Sequence, residues 1–347
     1  MEQIFFTLPD LIKIFALTCV SFVLAIIITP FWTEFLYKNK LGKKIRQTGF
    51  DEKKKAPVFY KMHKHKENTP TMGGIIIWVS VIIVTLIFNW NRAQTWLPAF
   101  TLFSAGVIGA IDDLLNIKGL GPNGGGLRFR WKLLVYFLLA LIGALWFYFK
   151  LDWSAIHIPG GNYFGLPYNI EVGWLYIPIF ILVFISTAFA ANETDGLDGL
   201  LGGVMMICFI SFSIIALSQE KIELAAFCGS IAGALLAFLW FNIYPARFFM
   251  GDTGAFALGA TLAVVAILTN SIFVLPIIAI VPVMEALSVI IQIISRKLFN
   301  KKVFISAPLH HHLEALGWPE TKVTMRAWVI SGIFGLIGGV IALIGRG

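Results

Sequence analysis

The sequence predicts an all-α integral membrane protein: one polytopic domain spanning residues 1–347, with about ten transmembrane helices. Three observations carry this expectation. Hydrophobic residues make up 58% of the 347 and charged residues only 13%, against roughly 45–50% and about 25% in an ordinary soluble domain. The apolar residues gather into long runs, and at about 20 residues per membrane helix they suffice for about ten. Lysine and arginine are distributed very unevenly among the loops between those runs. Disorder, a fibrous repeat and a disulfide-stapled secreted domain are excluded by the same numbers, and they argue against a soluble globular enzyme.

The apolar runs are Leu11–Phe31, Met72–Phe88, Pro98–Ile111, Trp131–Phe149, Val172–Ala190, Leu200–Leu217, Ile222–Ile243, Thr253–Thr269, Ser271–Ile294 and Thr324–Ile344. The first is longer than the apolar region of a signal peptide, and no cleavage pattern follows it, so it reads as a retained helix. Gly and Pro inside several runs are tolerated in membrane helices. Pro276 and Pro282 predict a break in the ninth run. Between the fourth and fifth, Pro159-Gly-Gly and Asn162-Tyr-Phe-Gly predict a turn or small hairpin. Cys19, Cys208 and Cys228 each lie inside an apolar run and form no disulfide or metal pattern.

Ten spans leave nine loops, five on one side and four on the other, with both termini on the four-loop side. The five-loop set is Trp32–Thr71, Asp112–Arg130, Ala191–Gly199, Tyr244–Asp252 and Ser295–Val323. With Lys132 and Arg326, just inside adjacent helices, it carries 22 of the 27 lysines and arginines. The positive-inside rule places this set in the cytoplasm and both termini in the periplasm. The net charge of +8 then reflects topology, and the cationic stretch Lys38–Lys66 faces anionic headgroups rather than nucleic acid.

Five of the eight aspartates lie in three short stretches, all at cytoplasmic ends of the expected helices. Ionisable groups at a membrane boundary are costly and commonly functional. Asp112-Asp113 closes the third run, and adjacent carboxylates repel unless a cation or proton sits between them. In Asn192-Glu-Thr-Asp195-Gly-Leu-Asp198-Gly, the two aspartates are three apart and would share a face on a helical turn. Phe249-Met-Gly-Asp252-Thr-Gly opens the eighth run, where a helix N-terminus favours anions and Asp252 can serve as cap or metal ligand. Thr69-Pro-Thr71-Met-Gly-Gly opens the second run, with Lys66 as a candidate pyrophosphate contact. His310-His311-His312 precede Glu314, and three successive side chains point apart, so phosphate binding or proton transfer suits them better than one zinc ion.

Taken in order from Lys66 to Arg326, these motifs resemble the phospho-N-acetylmuramoyl-pentapeptide-transferase family. That family is a branch of the polyprenyl-phosphate N-acetylhexosamine-1-phosphate transferase superfamily. Pro308-Leu-His-His-His-Leu-Glu with Gly317-Trp-Pro is the stretch most specific to the branch. The resemblance implies a ten-helix bacterial inner-membrane enzyme with a cytoplasm-facing cleft. It would transfer phospho-N-acetylmuramoyl-pentapeptide from UDP-N-acetylmuramoyl-pentapeptide to undecaprenyl phosphate, giving lipid I and UMP in peptidoglycan synthesis. Mg²⁺ dependence and a homodimer are implied as well. Residue by residue, Asp252 matches the magnesium-binding aspartate, Asp112 and Asp113 the essential pair, and His310, His311 and His312 the histidine motif. Phe249 matches an aromatic that stacks on uracil. Asn192, Asp195 and Asp198 match the nucleoside side of the cleft, with Lys66, Thr71 and Asn242 as further lining and Lys132 as a basic residue.

Departures from the family pattern are Phe189 for Asn, Glu193 for Leu, Tyr136 for Gln and Leu313 for Phe, together with Gly124-Gly-Gly in the second loop, which reads as more flexible than the family's. Two routes fit the acids: direct attack by the lipid phosphate after deprotonation by Asp112 or Asp113, and a covalent aspartyl intermediate. Direct attack is favoured, because a lipid phosphate is already an anionic nucleophile. The alternatives are a sister transferase using a UDP-N-acetylhexosamine without peptide, an inactive scaffold of the same fold, and a transporter. The last expects acids near the bilayer midplane rather than at one surface.

Overall fold

A computed structural model describes residues 7–42, 66, 69–120, 126–161 and 167–345. Most of the cationic stretch Lys38–Lys66, together with Gly124, Gly125 and Asn162–Gly165, lies outside the described residues. The first eight apolar runs become helices α1 (Leu8–Lys38), α2 (Gly74–Phe88), α3 (Trp96–Ile117), α4 (Phe129–Lys150), α5 (Tyr176–Thr194), α6 (Leu200–Ser218), α7 (Ile222–Asn242) and α8 (Asp252–Leu268). The four-residue α9 (Leu275–Ile278), α10 (Ile280–Phe299), the short α11 (Leu309–Ala315) and α12 (Glu320–Ile344) follow. A two-stranded antiparallel hairpin, β1 (Ala155–His157) on β2 (Asn169–Glu171), lies between α4 and α5.

Among the described residues, seven helices (α1, α3, α4, α5, α6, α7 and α12) are long and apolar enough to cross a membrane, and α2 and α8 are shorter apolar helices. The protein is a helical membrane protein. One helix end differs from expectation. α3 continues past Asp113 to Ile117, because no breaker occurs before Gly119, which ends the helix at φ 66°. Asp112 and Asp113 therefore stand on an intact helix rather than at its tip. The ninth run breaks as expected, at Ala279, whose backbone leaves helical geometry between α9 and α10. Pro276 and Pro282 sit in the first turns of these two helices, where a missing N–H is no loss.

α8 is the centre of the bundle: every residue from Thr253 to Leu268 is buried. A helix apolar on all sides has to be enclosed by others, and glycines let its neighbours close in. A Cβ at Gly109 of α3 would overlap the Asp252–Thr253 backbone, and one at Gly259 would meet the Thr187 carbonyl of α5. Likewise, Gly229 and Gly233 of α7 bring Ile14 and Thr18 of α1 against the helix backbone. α10 is two-faced, with Glu285, Ser288, Val289 and Gln292 buried and Met284, Leu287, Ile291 and Ile294 exposed as an apolar stripe.

The loops sort to opposite ends. At one end the turn between α6 and α7, the hairpin, the start of α9 and the end of α12 interlock. Gln219 donates to the Thr269 carbonyl, Asn270 accepts the His157 amide, and His157 Nε2 meets the Gly345 carbonyl. At the other end lie all the acidic and histidine motifs.

Candidate active site

The site is assembled around the N-terminus of α8. Segment 70–74 runs beside segment 248–250, with Phe249 N–H on the Pro70 carbonyl and the Gly73 and Gly74 N–H groups on the Phe249 and Met250 carbonyls. Gly251 takes φ 77°, and a Cβ there would overlap Asp113 and crowd the Thr71 hydroxyl, so glycine is required both by conformation and by space. The exposed N–H groups of a helix start need acceptors. Asp195 Oδ2 accepts the Gly251 N–H at 3.1 Å, and Asp113 Oδ2 accepts that of Thr253 at 3.1 Å. These two predicted residues therefore hold the helix start, which draws α3 and the end of α5 onto α8.

Asp252 turns the other way. Its Oδ2 receives the Lys132 ammonium at 2.5 Å, and the same nitrogen contacts Asp112 Oδ2. Asp112 Oδ1 accepts the Leu127 N–H at 2.7 Å. Neighbouring residues on a helix diverge by about 100°, and the ammonium joins Asp112 to Asp252 across two helices. Asp112 is almost fully buried, whereas Lys132 and Asp252 keep 23% and 22% of their side chains exposed, so the cluster opens to solvent on their side. One turn along α4, Tyr136 stacks on Phe256 with centroids 3.7 Å apart, and its hydroxyl accepts the Asn192 amide at 2.9 Å. The Tyr136 departure thus supports Asn192.

Lys66 is buried beside a second acidic pair. Its nitrogen lies 2.7 Å from Asp198 Oδ1 and 2.5 Å from Glu320 Oε1, and 5.9 Å from the half-buried ring of Phe249. Asp198 Oδ2 accepts the Ala246 N–H, and Asn242 joins the Gly199 N–H to the Phe248 carbonyl. Asp195 caps α5 while Asp198 lies beyond the helix, so the shared helical face expected for them does not form. The helix ends at Thr194, and the Asp195 backbone has already left helical geometry.

The three histidines separate, as their spacing requires. The buried Glu285 accepts both the N–H of His310 and its Nδ1, at 3.1 and 3.0 Å. His310 Nε2 is left against Gly196, beside Asp195. His311 pairs with Glu314 at 2.8 Å. His312 turns to the preceding loop, where its Nδ1 accepts the Ile305 N–H and its ring meets Phe304 edge-on. His310 therefore faces the aspartate loop and His312 does not.

Glu285 and Glu320 were missed at the level of sequence. Glu285 carries a legible signal, a lone acid inside an otherwise apolar run. Glu320, after Trp318-Pro319, reads as an ordinary helix start. Among the described residues, no three His, Cys, Asp or Glu side chains converge as a complete metal cage.

The helical bundle carries its aspartate and His310–His312 motifs at one end, and residues 95–270 match the family described as Glycosyl transferase family 4. Residues 66–77 match the first signature of phospho-N-acetylmuramoyl-pentapeptide-transferase. Relatives of that name include one from Geobacillus sp. (strain WCH70), 39% identical over 326 residues, 92% of this chain and 94% of the relative. Another, from Geobacillus thermodenitrificans (strain NG80-2), is 38% identical over 95% of this chain and 98% of the relative. A third, from Bacillus anthracis (strain A0248), is 40% identical over 92% and 94%. The chain belongs to the phospho-N-acetylmuramoyl-pentapeptide-transferase family.

Proposed function

We propose that the protein transfers phospho-N-acetylmuramoyl-pentapeptide from its UDP carrier to a polyprenyl phosphate in peptidoglycan synthesis, with undecaprenyl phosphate as acceptor and lipid I and UMP as products. The observation that carries this reading is the Asp112–Lys132–Asp252 cluster at the start of α8, in a chain matching the family along almost its full length. Two polyanions have to meet there, and charge repulsion is the main barrier.

Lys132 lies where a diphosphate would enter, on the open side of the cluster. The Lys66–Phe249 corner, an ammonium beside an aromatic face, suits a nucleobase. Asn192, Asp195, Asp198 and Asn242 build the walls between these two points, and Thr71 borders Gly251. The donor set also fits Mg²⁺. Asp112 and Asp252 offer two hard oxygen ligands already gathered on a positive charge, and Mg²⁺ typically takes one or two carboxylates with phosphate and water completing its shell. When bound, it would neutralise diphosphate charge and polarise the bond to the leaving group. Asp252 would hold it, with Asp112 alongside. Asp113, tied to α8, orients the pair. In the direct route, a carboxylate of the Asp112/Asp113 pair takes the lipid-phosphate proton and the phosphate oxygen attacks the sugar-linked phosphorus, releasing UMP. His310, fixed by Glu285, presents Nε2 toward the aspartate loop for a phosphate oxygen.

The exposed apolar stripe of α10 beside the break at Ala279 suits the polyprenyl tail. In this reading the chain crosses the bacterial cytoplasmic membrane ten times, with the site end in the cytoplasm and both termini outside, supported by the uneven distribution of lysine and arginine. A homodimer rests on family resemblance alone.

The test is UMP release by purified protein given UDP-N-acetylmuramoyl-pentapeptide, undecaprenyl phosphate and Mg²⁺, beside Asp252→Ala and a magnesium-free sample. Release that needs lipid and disappears in both controls supports the proposal. Product only from UDP-N-acetylhexosamines lacking peptide moves the protein to the sister branch.

A further inference from the structure

One face of α12 grips the aspartate loop. Glu320, Thr324 and Trp328 stand at i, i+4 and i+8, one above another on the helix. Glu320 Oε1 accepts the Asp198 N–H at 2.6 Å, Thr324 Oγ1 donates to the Asp198 carbonyl at 3.2 Å, and Trp328 Nε1 donates to the Gly199 carbonyl at 3.1 Å. Consecutive peptide groups are thus held by three side chains of a helix that supplies none of the predicted site residues. Gly203 lets the Trp328 indole lie directly on α6, where a Cβ would overlap it.

Glu320 does a second thing with the same oxygen: it receives the Lys66 ammonium at 2.5 Å. Lys66, Asp198 and Glu320 form a closed ring in which the ammonium spends two of its three donors on carboxylates. One carboxylate would neutralise Lys66. The second leaves the trio net negative, which disfavours a phosphate at this point and keeps the lysine for a neutral acceptor. It also fixes the ammonium near the Phe249 ring. The ring is nearly closed to water, with Lys66 8% and Asp198 4% exposed, so its geometry is set by these contacts rather than by solvent.

We propose that Glu320, aided by Thr324 and Trp328, is a positioning residue that holds Lys66 and the Asp198–Gly199 peptide for the nucleoside of the donor. This rests on the proposed transfer from a UDP carrier. It makes nucleotide affinity depend on α12, whose remaining length lies far from the chemistry.

The experiment uses full-length protein in detergent and measures KM for the UDP donor, KM for undecaprenyl phosphate, and UMP binding by calorimetry. Glu320→Gln is expected to raise donor KM and the UMP dissociation constant together by about tenfold, the loss of one charged hydrogen bond. Lipid KM stays within about twofold. Thr324→Val is expected to move donor KM and UMP binding in the same direction by about threefold, the loss of one neutral hydrogen bond. A merely structural Glu320 lowers the unfolding temperature and kcat but leaves UMP affinity where it was, and that result in folded Glu320→Gln overturns the proposal. If Glu320→Gln does not fold, Thr324→Val decides, and unchanged UMP affinity overturns it. Wild-type protein that binds UMP but releases none from the UDP donor refutes the proposed function while the variants still test the clamp. Wild-type protein that does not bind UMP overturns both.

Discussion

Replacing Lys132 with methionine keeps the length of the side chain and removes its charge. Asp112 and Asp252, now joined through one ammonium, would then face each other with nothing between them. Two like charges about 5 Å apart repel by roughly 3 kcal/mol at an effective dielectric constant of about 20. Breaking a fully buried pair costs about 3–5 kcal/mol. Asp112 is buried, but Lys132 and Asp252 are almost a quarter exposed, so solvent screens part of this and the expected loss is about 2–3 kcal/mol. For a chain of this size that corresponds to a fall of about 3–4 °C in unfolding temperature. Adding Asp112→Asn removes one of the repelling charges while its oxygen still accepts the Leu127 N–H. The double variant is therefore expected to recover more than half of the lost stability. Neither variant should recover activity, because both have lost a charge the transfer needs, and UMP release should stay down by at least about 100-fold. Thermal unfolding in detergent reads the first quantity and nucleotide release the second. If the double variant is no more stable than Lys132→Met alone, the ammonium is not what holds the two acids together, and the account of the cluster is wrong.

Asp252→Asn keeps the shape of the site and is expected to reduce turnover by at least about 100-fold with little change in unfolding temperature, measured as UMP release across a magnesium titration. Gly251→Ala places a Cβ against Asp113 and Thr71 at a positive φ. It should cost about 2 kcal/mol or more in stability and abolish turnover with it. Glu285→Ala strips both contacts from buried His310, with an expected loss of about 2 kcal/mol in thermal unfolding. Glu285→Gln, which keeps an acceptor, should recover most of that stability but not the turnover.

The helical runs were legible because membrane helices need long apolar segments, and that requirement is written locally in the residues. Pro276 and Pro282 marked the break at Ala279 for the same reason, since the signal is a property of the residues themselves. The acids were legible as a group because charge at the end of an apolar run is conspicuous wherever it occurs. Their partners were not. Sequence adjacency pointed to Asp112 with Asp113 and to Asp195 with Asp198, yet each pair divides between different neighbours. Asp112 joins Asp252 through Lys132, Asp113 and Asp195 cap α8, and Asp198 joins Lys66 and Glu320.

By itself, then, the sequence determined that this chain folds as membrane helices, where they run and which residues are chemically expensive enough to need a reason. Only the tertiary structure decided which charge neutralises which. Ion pairing depends on distances of a few ångströms between helices far apart in the chain, and those distances are set by how closely α3, α4 and α12 approach α8 and the aspartate loop. Gly109, Gly203 and Gly251 mark where that approach is closest. What each of them has to accommodate is a neighbour from another part of the chain.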